Sequence, residues 1–150
     1  FTDGGGSGVV LRFAQFQAAD AMHTKTIETT VRRRLNPWMG DPDGYTSTIQ
    51  ADDAGAAVAA ALGAPAGIYN VGDDEPLTRR EAGAVVAAAL GVRAPRSVPT
   101  WLTRLAPASM DGLLRSQRVS NARFKEATGW TPTHPTIRGD WPRHTGEDVR

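Results

Sequence analysis

The chain has 150 residues, with 17 Lys and Arg against 16 Asp and Glu, a net charge of +1, and 40% hydrophobic residues, which predicts one globular domain. The near-neutral charge gives no general argument for nucleic-acid or membrane binding, and no apolar run approaches the ~20 residues of a membrane span. The absence of Cys excludes disulfides and thiolate metal sites and suits a cytoplasmic location.

The first half of the chain alternates short strands with helices. An unbroken apolar run is typical of a strand buried on both faces, and alternation is typical of a half-buried strand. Apolar residues four apart indicate a helix, which Asn36-Pro37 would end. These rules predict a strand at 9–13, a loop at 15–23, a helix at 26–35, a turn at 40–44 and a strand at 45–49 with Tyr45, Ser47 and Ile49 inward and Thr46 and Thr48 outward.

The second half contains the clearest helix signal, the capping box Thr78-Arg79-Arg80-Glu81. Asp52 or Asp53 suits the N-cap of an Ala-rich helix, and Gly129 suits a helix end. The alternation of strands and helices favours an α/β fold. The predicted elements are a helix at 54–62, a strand at 68–71, a helix from 78 to near 91, a helix at 99–105, a short helix or turn at 113–114, a helix at 121–128 capped by Ser120, and a loose polar tail at 142–150.

The glycine-rich stretch DGGGSG at residues 3–8 does not fit a nucleotide-binding loop. A dinucleotide loop has G-x-G-x-x-G after a strand and before a helix, so that the pyrophosphate meets the helix N-terminus. Here the glycines precede the strand, and Val9 occupies the position of the third glycine. The P-loop and nucleophile-elbow patterns also fail, since no Lys-Ser/Thr pair follows and Val9 lies two residues after Ser7. We interpret the stretch as a flexible connector into the first strand.

The titratable residues form no recognisable catalytic or metal-binding motif. Acidic residues at 41–43, 52–53 and 73–75 lack EF-hand spacing and are interpreted as turn residues and a helix cap. The His residues lack the spacing of zinc ligands, and only His23 lies in a loop that could face a site. The basic triplet at 32–34 has no interleaved aromatic residues, which favours a solvated helix face over a nucleic-acid contact.

Four stretches, in this order, resemble the NAD-dependent epimerase/dehydratase family of extended short-chain dehydrogenases. They resemble the family's sixth strand and following loop, its strand ending in I-H-V-D-D with the next helix, its G-x-Y-N-[VI]-G strand followed by [ST]-x-x-E, and its late S-K-A-x-x-x-L-G-W-x-P helix. The stretches are GVVLRFAQFQAAD (8–20), YTSTIQADDAGAAVAAAL (45–62), GIYNVGDDEPLTRRE (67–81) and SNARFKEATGWTP (120–132). The resemblance covers most of this chain but only the C-terminal part of such an enzyme.

The resemblance implies an α/β fold, the C-terminal portion of a Rossmann-type extended short-chain dehydrogenase with a few short strands and several helices. Residues 1–141 would form the substrate-binding part together with the last strands of the Rossmann sheet. The family's glycine fingerprint and Tyr-x-x-x-Lys dyad lie upstream of these stretches, and neither pattern occurs in this chain. NAD or NADP is the family's cofactor; we expect no cofactor bound by this chain alone and assign no catalytic residue.

The resemblance also suggests which residues face the ligands. The family's Tyr-Gly-Pro, which touches the nicotinamide end, corresponds here to Gln17, Ala18 and Ala19. The family often places a substrate-contacting Arg just before the last helix, where this chain has Arg115 and Arg118. A surface role is an equally good interpretation of each arginine.

His23 is a further candidate for contact with the substrate. Two departures from the family pattern bear on the identity of that substrate. The His of I-H-V-D-D is replaced by Gln50. The Arg that often holds a nucleotide-sugar diphosphate corresponds to Thr46, so the resemblance does not carry a nucleotide-sugar substrate over to this chain.

The leading hypothesis is the substrate-binding part of an NAD(P)-dependent epimerase/dehydratase-like oxidoreductase or isomerase, truncated or separated from its Rossmann half and inactive as an isolated chain. Its expected partners are a small-molecule substrate and that Rossmann half, docked on the sheet edge near Val9. The alternative is a non-catalytic binding or regulatory module with the same fold. A nucleic-acid binder acting through residues 32–34 is the least favoured hypothesis, and neither nucleic acid nor a membrane is an expected partner.

Overall fold

The computed structural model describes residues 8–99, 101, 107 and 111–141. Short strands and helices alternate along the described chain, as the sequence predicts. In chain order the elements are β1 (Val9–Phe13), β2 (Gln15–Gln17), α1 (Met22–Arg32), β3 (Tyr45–Thr46), β4 (Thr48–Gln50), α2 (Ala51–Ala61), β5 (Gly67–Val71), β6 (Leu77–Thr78), α3 (Arg79–Ala89), α4 (Asp111–Leu114) and α5 (Ala122–Thr128).

The strands pair two by two. β1 is parallel to β5, with Val9 opposite Gly67 and Phe13 opposite Val71. β2 is parallel to β4, with Gln17 opposite Gln50, whereas β3 and β6 are antiparallel. Parallel neighbours require long crossover connections, which is the α/β arrangement that the alternating pattern predicts. Each described strand, β1 included, is paired along one edge only, because every sheet has two strands.

Two hydrophobic cores stabilise the described residues. In the first, the Phe124 ring of α5 lies 5.6 Å from the Tyr69 ring of β5 and 5.4 Å from the Trp130 ring, between ring centroids. The second core joins α1 to α3 through Ile27, Val31 and Val86, with Trp141 closing one side. Each core packs helices against one face of a short strand pair.

The strand at 9–13 is confirmed, but burial on both of its faces is wrong for the described residues. Val9, Leu11 and Phe13 pack against the first core. Val10 is 51% exposed and its β5 partner Ile68 is 47% exposed, because no described element covers that face of the pair.

The predicted loop at 15–23 is wrong. Its first part is β2, whose pairing uses backbone groups and therefore leaves little trace in the side chains. Its last part begins α1, whose N-cap residue Ala21 has no side chain that could signal a helix start. The same helix ends at Arg32, before the predicted residue 35, because Arg34 adopts a left-handed conformation with φ of 65°.

Two predictions around residues 45–54 are also wrong. The strand is split into β3 and β4, and Thr48 is buried because its hydroxyl donates to Asp73 at 2.5 Å. Neither Asp52 nor Asp53 caps α2, which begins at Ala51 with Gln50 at the N-cap. Asp53 instead turns into the interior and is 2% exposed.

The stronger local signals are confirmed. Thr78 and Glu81 form the reciprocal capping box of α3, and Gly129 ends α5 with φ of 70°. The start of α5 is corrected by one residue, since Asn121, not Ser120, occupies its N-cap position. The short helix around 113–114 is present as α4. The connector at 3–7, most of the predicted helix at 99–105 and the tail at 142–150 lie outside the described residues.

Within the described ranges, every helix is too short or too polar to span a bilayer.

Candidate functional site

Two clefts each have a residue of β2 in their lining, Gln17 in the first and Gln15 in the second. The first, here called the acidic cleft, has a volume of about 620 Å³ and lies where the parallel strands β2 and β4 end. Ligands of open α/β sheets bind at the carboxyl ends of parallel strands. Its lining residues are Gln17, Ala18, Ala19, Asp20, Gln50, Ala51, Asp52, His134, Gly139, Asp140 and Trp141.

The acidic cleft contains all three residues predicted to touch a cofactor, Gln17, Ala18 and Ala19. Gln17 is fully buried, and its Oε1 accepts a 3.4 Å hydrogen bond from the Thr24 hydroxyl. The Gln17 Nε2 has no hydrogen-bond partner among the described residues. A buried amide donor without an acceptor is uncommon in folded proteins.

Sequence reasoning missed the histidine of this cleft. His134 lines the wall, and its Nδ1 lies 3.0 Å from Oδ2 of Asp53. The Asp53 carboxylate also accepts hydrogen bonds from the Thr133 and His134 backbone N–H groups at 2.7 and 2.9 Å. The available signal was the pair Thr133-His134 directly after Gly-Trp-x-Pro, but its partner lies about eighty residues upstream.

The environment of Asp53 keeps it ionised. Burial by itself raises the pKa of this carboxyl, but hydrogen bonds from Thr133 and His134 outweigh burial and lower the pKa below its usual range. The carboxylate therefore fixes the ring orientation of His134, with Nδ1 facing Asp53 and Nε2 without a partner among the described residues.

The second cleft, here called the aromatic cleft, has a volume of about 320 Å³. Phe13, Trp38, Met39 and Tyr45 supply much of its apolar wall, and Arg79 and Arg115 are its charged lining residues. No Asp or Glu lies among its described lining residues, in contrast to the acidic cleft with Asp20, Asp52 and Asp140. The two clefts adjoin where the Trp38 and Trp141 rings meet edge to face, 6.4 Å between centroids.

The structure brings two of the three predicted substrate-binding residues to the same region. Arg115 lines the aromatic cleft, and the Arg118 guanidinium lies 5.0 Å above the Tyr45 ring. Thr46, at the position of the family's diphosphate-binding Arg, also lines this cleft. His23 is separate: its Nε2 contacts the Phe16 carbonyl oxygen, and it faces a third groove beside α1.

Arg79 has a structural role in the aromatic cleft. The sequence does not reveal this role, because Arg79 lies between the capping-box residues Thr78 and Glu81. It is 2% exposed, and its Nη2 donates to the Arg115 carbonyl oxygen at 2.7 Å. Its Nη1 donates to the Asp41 carbonyl oxygen at 3.3 Å. A Cβ added to Gly40 would lie only 2.3 Å from this Nη1. Arg79 therefore ties the turn at 40–44 and the segment after α4 to the start of α3.

Asp73, at the end of β5, is the most strongly perturbed carboxyl. Its pKa is raised to about 7, chiefly by burial; the Thr48 hydroxyl opposes the rise, and the Asp74 and Glu75 charges add to it. It lies outside the lining of both clefts. The perturbed pKa of Asp73 therefore reflects a structural contact, in which the Thr48 hydroxyl of β4 donates to this carboxyl after β5.

Among the described residues, no group of three or more His, Asp or Glu side chains has a geometry that could hold a metal ion.

No family model matches the chain. A Streptomyces 3-diazoavenalumate denitrifying reductase is 34% identical over 137 residues, which are 88% of this chain and 45% of that protein. The chain thus spans less than half the length of this curated relative.

Similar solved structures also match most of this chain over less than half of their own length. The UDP-glucose 4-epimerase of Thermus thermophilus, solved with NAD, is 27% identical with a TM-score of 0.65, over 92% of this chain and 45% of that one. A human epimerase family protein, solved with NADPH, is 21% identical with a TM-score of 0.72, over 86% and 45% of the two chains. The second likeness concerns the fold alone.

The predicted resemblance is confirmed by these structural neighbours and by the α/β architecture that they share with this chain. The described residues have a partial Rossmann-like fold, similar to that of epimerase-family proteins solved with NAD or NADPH. The chain matches the C-terminal part of NAD-dependent epimerase/dehydratase-family proteins.

Proposed function

We propose that this chain is the substrate-binding C-terminal part of an NAD(P)-dependent epimerase/dehydratase-like oxidoreductase or isomerase, and that it has no oxidoreductase activity by itself. The observation that carries the proposal is the pair of clefts that each have a residue of β2 in their lining, one lined by Gln17, Ala18 and Ala19 and the other by Arg115. One cleft would face the cofactor, and the other would hold the substrate. Residues 1–141 would then act as one substrate-binding part.

The residues of the acidic cleft fit only one end of a dinucleotide. The buried Gln17 amide could meet the nicotinamide end, but Asp20, Asp52 and Asp140 would repel phosphates. When bound, the nicotinamide supplies hydride transfer. The residues of this chain provide no pyrophosphate loop and no Tyr-x-x-x-Lys dyad, so we derive no catalytic step from them. Their part is to enclose and orient the substrate beside the cofactor.

The free edge of β1 is the proposed docking surface for a dinucleotide-binding half. β1 offers unpaired backbone groups on the side away from β5, and such an edge accepts a further strand. The face carrying Val10 and Ile68 is about half exposed and apolar, as expected of a sheet face that a helix covers in the complete unit. Strand addition at β1 would also bring a pyrophosphate site to the carboxyl ends of the parallel strands.

The second candidate function is a non-catalytic binding or regulatory module that reuses the fold. The observation in its favour is that both hydrophobic cores are buried within the described residues, with Phe124, Val31 and Val86 fully enclosed. Under this alternative the chain would need no partner to fold.

Calorimetric titration with NADH and NADPH tests the proposal, and the nicotinamide absorbance reports any turnover. We expect neither micromolar affinity nor turnover, because the pyrophosphate site and the proton-transferring dyad are not among these residues. Micromolar affinity accompanied by turnover would contradict the proposal.

A further inference from the structure

We propose that Asp53 and His134 form a nucleophilic centre in the acidic cleft, where His134 Nε2 attacks the acyl group of small esters that carry no negative charge and water completes their hydrolysis. The family resemblance assigns no role to His134. The step needs no nicotinamide cofactor, so this inference goes beyond the proposed function and does not depend on it.

The contacts of the His134 imidazole determine which ring nitrogen carries the hydrogen. Nδ1 lies 3.0 Å from Asp53 Oδ2 and 3.2 Å from the Thr133 hydroxyl oxygen. The ionised Asp53 carboxylate can only accept, and the Thr133 hydroxyl donates its own hydrogen to Asp53 Oδ1 at 2.5 Å. Nδ1 therefore carries the hydrogen, and in the neutral ring Nε2 has the lone pair that a nucleophile needs.

The nucleophilic side of the imidazole is accessible, whereas the carboxylate that orients it is buried. The His134 side chain is 38% exposed and lines the cleft, and the Asp53 side chain is 3% exposed. Nε2 has no hydrogen-bond partner among the described residues. A buried carboxylate on Nδ1 holds an imidazole in one orientation and stabilises the positive charge that develops on the ring during reaction. His134 therefore has the arrangement of an oriented nucleophile, with Asp53 as its positioning residue.

The contact with the imidazole adds to the structural role of Asp53. The backbone N–H groups of Thr133 and His134 already donate to the carboxylate at 2.7 and 2.9 Å, and the Thr133 hydroxyl also donates to it. These three contacts hold the segment against α2 and do not involve the His134 ring. Replacing the ring should therefore remove the nucleophile while the fold is retained.

The charges that line the acidic cleft limit the charge of the substrate. Asp20, Asp52 and Asp140 are exposed residues of its wall, and no Lys or Arg is among its described lining residues. A negatively charged ester would be repelled by these carboxylates. The volume of about 620 Å³ lies within the range of small-molecule sites and can hold a one-ring compound. The cleft therefore favours small esters that are neutral or positively charged.

The reaction would proceed in two steps. The Nε2 lone pair forms a bond to the acyl carbon, and the bond from this carbon to the alcohol oxygen breaks with its electron pair on that oxygen. The acylated ring keeps its Nδ1 hydrogen on Asp53. Water then attacks the acyl carbon, the carbon–nitrogen bond breaks, and the electron pair returns to Nε2. The products are a carboxylic acid and an alcohol, and nothing is oxidised or reduced.

The test uses 4-nitrophenyl acetate with the full chain, and the absorbance of released 4-nitrophenolate as the signal. N-acetylhistidine amide at the same concentration gives the rate of an unassisted imidazole. The variant His134→Gln removes the nucleophile, and Asp53→Asn removes the charge that orients it. His23→Gln is the matched control, because His23 is also exposed but its Nε2 contacts the Phe16 carbonyl oxygen. Circular dichroism and a thermal transition establish that each variant is folded.

We expect saturable hydrolysis that is about tenfold or more faster than with N-acetylhistidine amide. His134→Gln should remove this excess rate, and His23→Gln should leave it unchanged. Asp53→Asn should lower kcat about tenfold or more with little change in KM, since the carboxylate acts on the ring rather than on the ester. The anionic ester 4-acetoxy-3-nitrobenzoate should gain less over N-acetylhistidine amide than the neutral acetate does.

Four results would each overturn the inference: a rate equal to that of N-acetylhistidine amide, an unchanged rate in folded His134→Gln, an unchanged kcat in folded Asp53→Asn, or a preference for the anionic ester. If Asp53→Asn does not fold, the other three comparisons decide the question. The nicotinamide titration tests the proposed function separately, so the failure of one is distinguishable from the failure of the other.

Discussion

Asp53, about eighty residues upstream in the sequence, fixes His134 to the wall of the acidic cleft. Its Oδ2 lies 2.9 Å from the His134 backbone nitrogen and 3.0 Å from Nδ1, while Oδ1 accepts from Thr133 at 2.7 Å. One buried carboxylate of α2 therefore holds the segment after Trp130 against the helix. The shape of the cleft depends on this contact.

Replacing Asp53 should destabilise the chain and loosen the acidic cleft. Asp53→Ala leaves two backbone donors without an acceptor, which should cost about 2 kcal/mol of unfolding free energy. Asp52→Ala is the matched control, because Asp52 is exposed in the same first turn of α2 and lacks these contacts. Urea unfolding of both variants measures the difference. Equal losses would show that the contact with residues 133–134 does not stabilise the fold.

The stability of the chain should fall as pH rises from about 4 to about 7. Burial raises the folded pKa of Asp73 to about 7 from its usual 3.8. Between these values the folded state keeps a proton that the unfolded state has lost, so folding is penalised progressively, by at most about 4 kcal/mol, and no further above pH 7. Urea unfolding at a series of pH values measures this slope.

The variant Asp73→Asn isolates the contribution of this carboxyl. Asn retains an oxygen that can accept the Thr48 hydroxyl hydrogen bond, but it carries no charge at any pH. We expect it to flatten the slope and to be more stable than wild type at about pH 8. Asp43→Asn, at an exposed carboxylate paired with Arg80, should keep the slope. A slope that persists in Asp73→Asn would contradict this assignment.

Replacing glycine by alanine should lower the stability of the chain at one helical position, Gly83, and raise it at another, Gly55. A Cβ on Gly83 of α3 would lie 3.0 Å from both the Asn36 Nδ2 and the Pro95 Cγ. Asn36 is held by its hydrogen bond to the Arg79 carbonyl oxygen and cannot easily withdraw, so Gly83→Ala should lower stability by about 1 kcal/mol or more.

Gly55 of α2 is the matched site, because a Cβ there would meet no atom within 4 Å. Gly55→Ala should raise stability by about 0.5–1 kcal/mol through helix propensity alone. Thermal unfolding of both variants gives the comparison. Stabilisation by Gly83→Ala would show that α3 does not approach the segments around Asn36 and Pro95 this closely.

Removing the capping box should destabilise α3 and should also reduce the loss of stability that protonation of Glu81 causes at low pH. Hydrogen bonds from the Thr78 backbone and hydroxyl, with a further one from Arg138, lower the pKa of Glu81 to about 2. This stabilisation is present above the unfolded pKa of about 4.5 and is lost as pH falls towards 2. Thr78→Ala should cost about 1 kcal/mol at neutral pH, and less at low pH, in urea unfolding. A cost that does not change with pH would contradict the coupling of Thr78 to the Glu81 charge.

The local signals in the sequence predict the fold well where one short segment is sufficient. The Thr78 capping box and the left-handed Gly129 each act within a few residues of themselves, and both are confirmed. The burial of Trp130 follows from the same helix end, since the chain turns back onto Phe124.

Features formed by distant residues could not be predicted. Asp53 looked like a helix cap because its partners Thr133 and His134 are remote in sequence, and Arg79 looked like the interior of a capping box. β2 was missed because it pairs with β4 through backbone groups, which its three side chains do not reveal. The family resemblance led to Gln17, Ala18, Ala19 and Arg115, which line the two clefts; their roles in binding remain predictions.

The central claim is that this chain is one part of a larger unit whose sheet continues beyond β1. Analytical ultracentrifugation over a range of protein concentrations tests it directly, with Val10→Lys placing a charge on the exposed strand face. The account predicts concentration-dependent self-association of the wild-type chain that Val10→Lys reduces. A wild-type chain that stays monomeric at every concentration and unfolds in one cooperative transition would contradict it and favour a self-sufficient module.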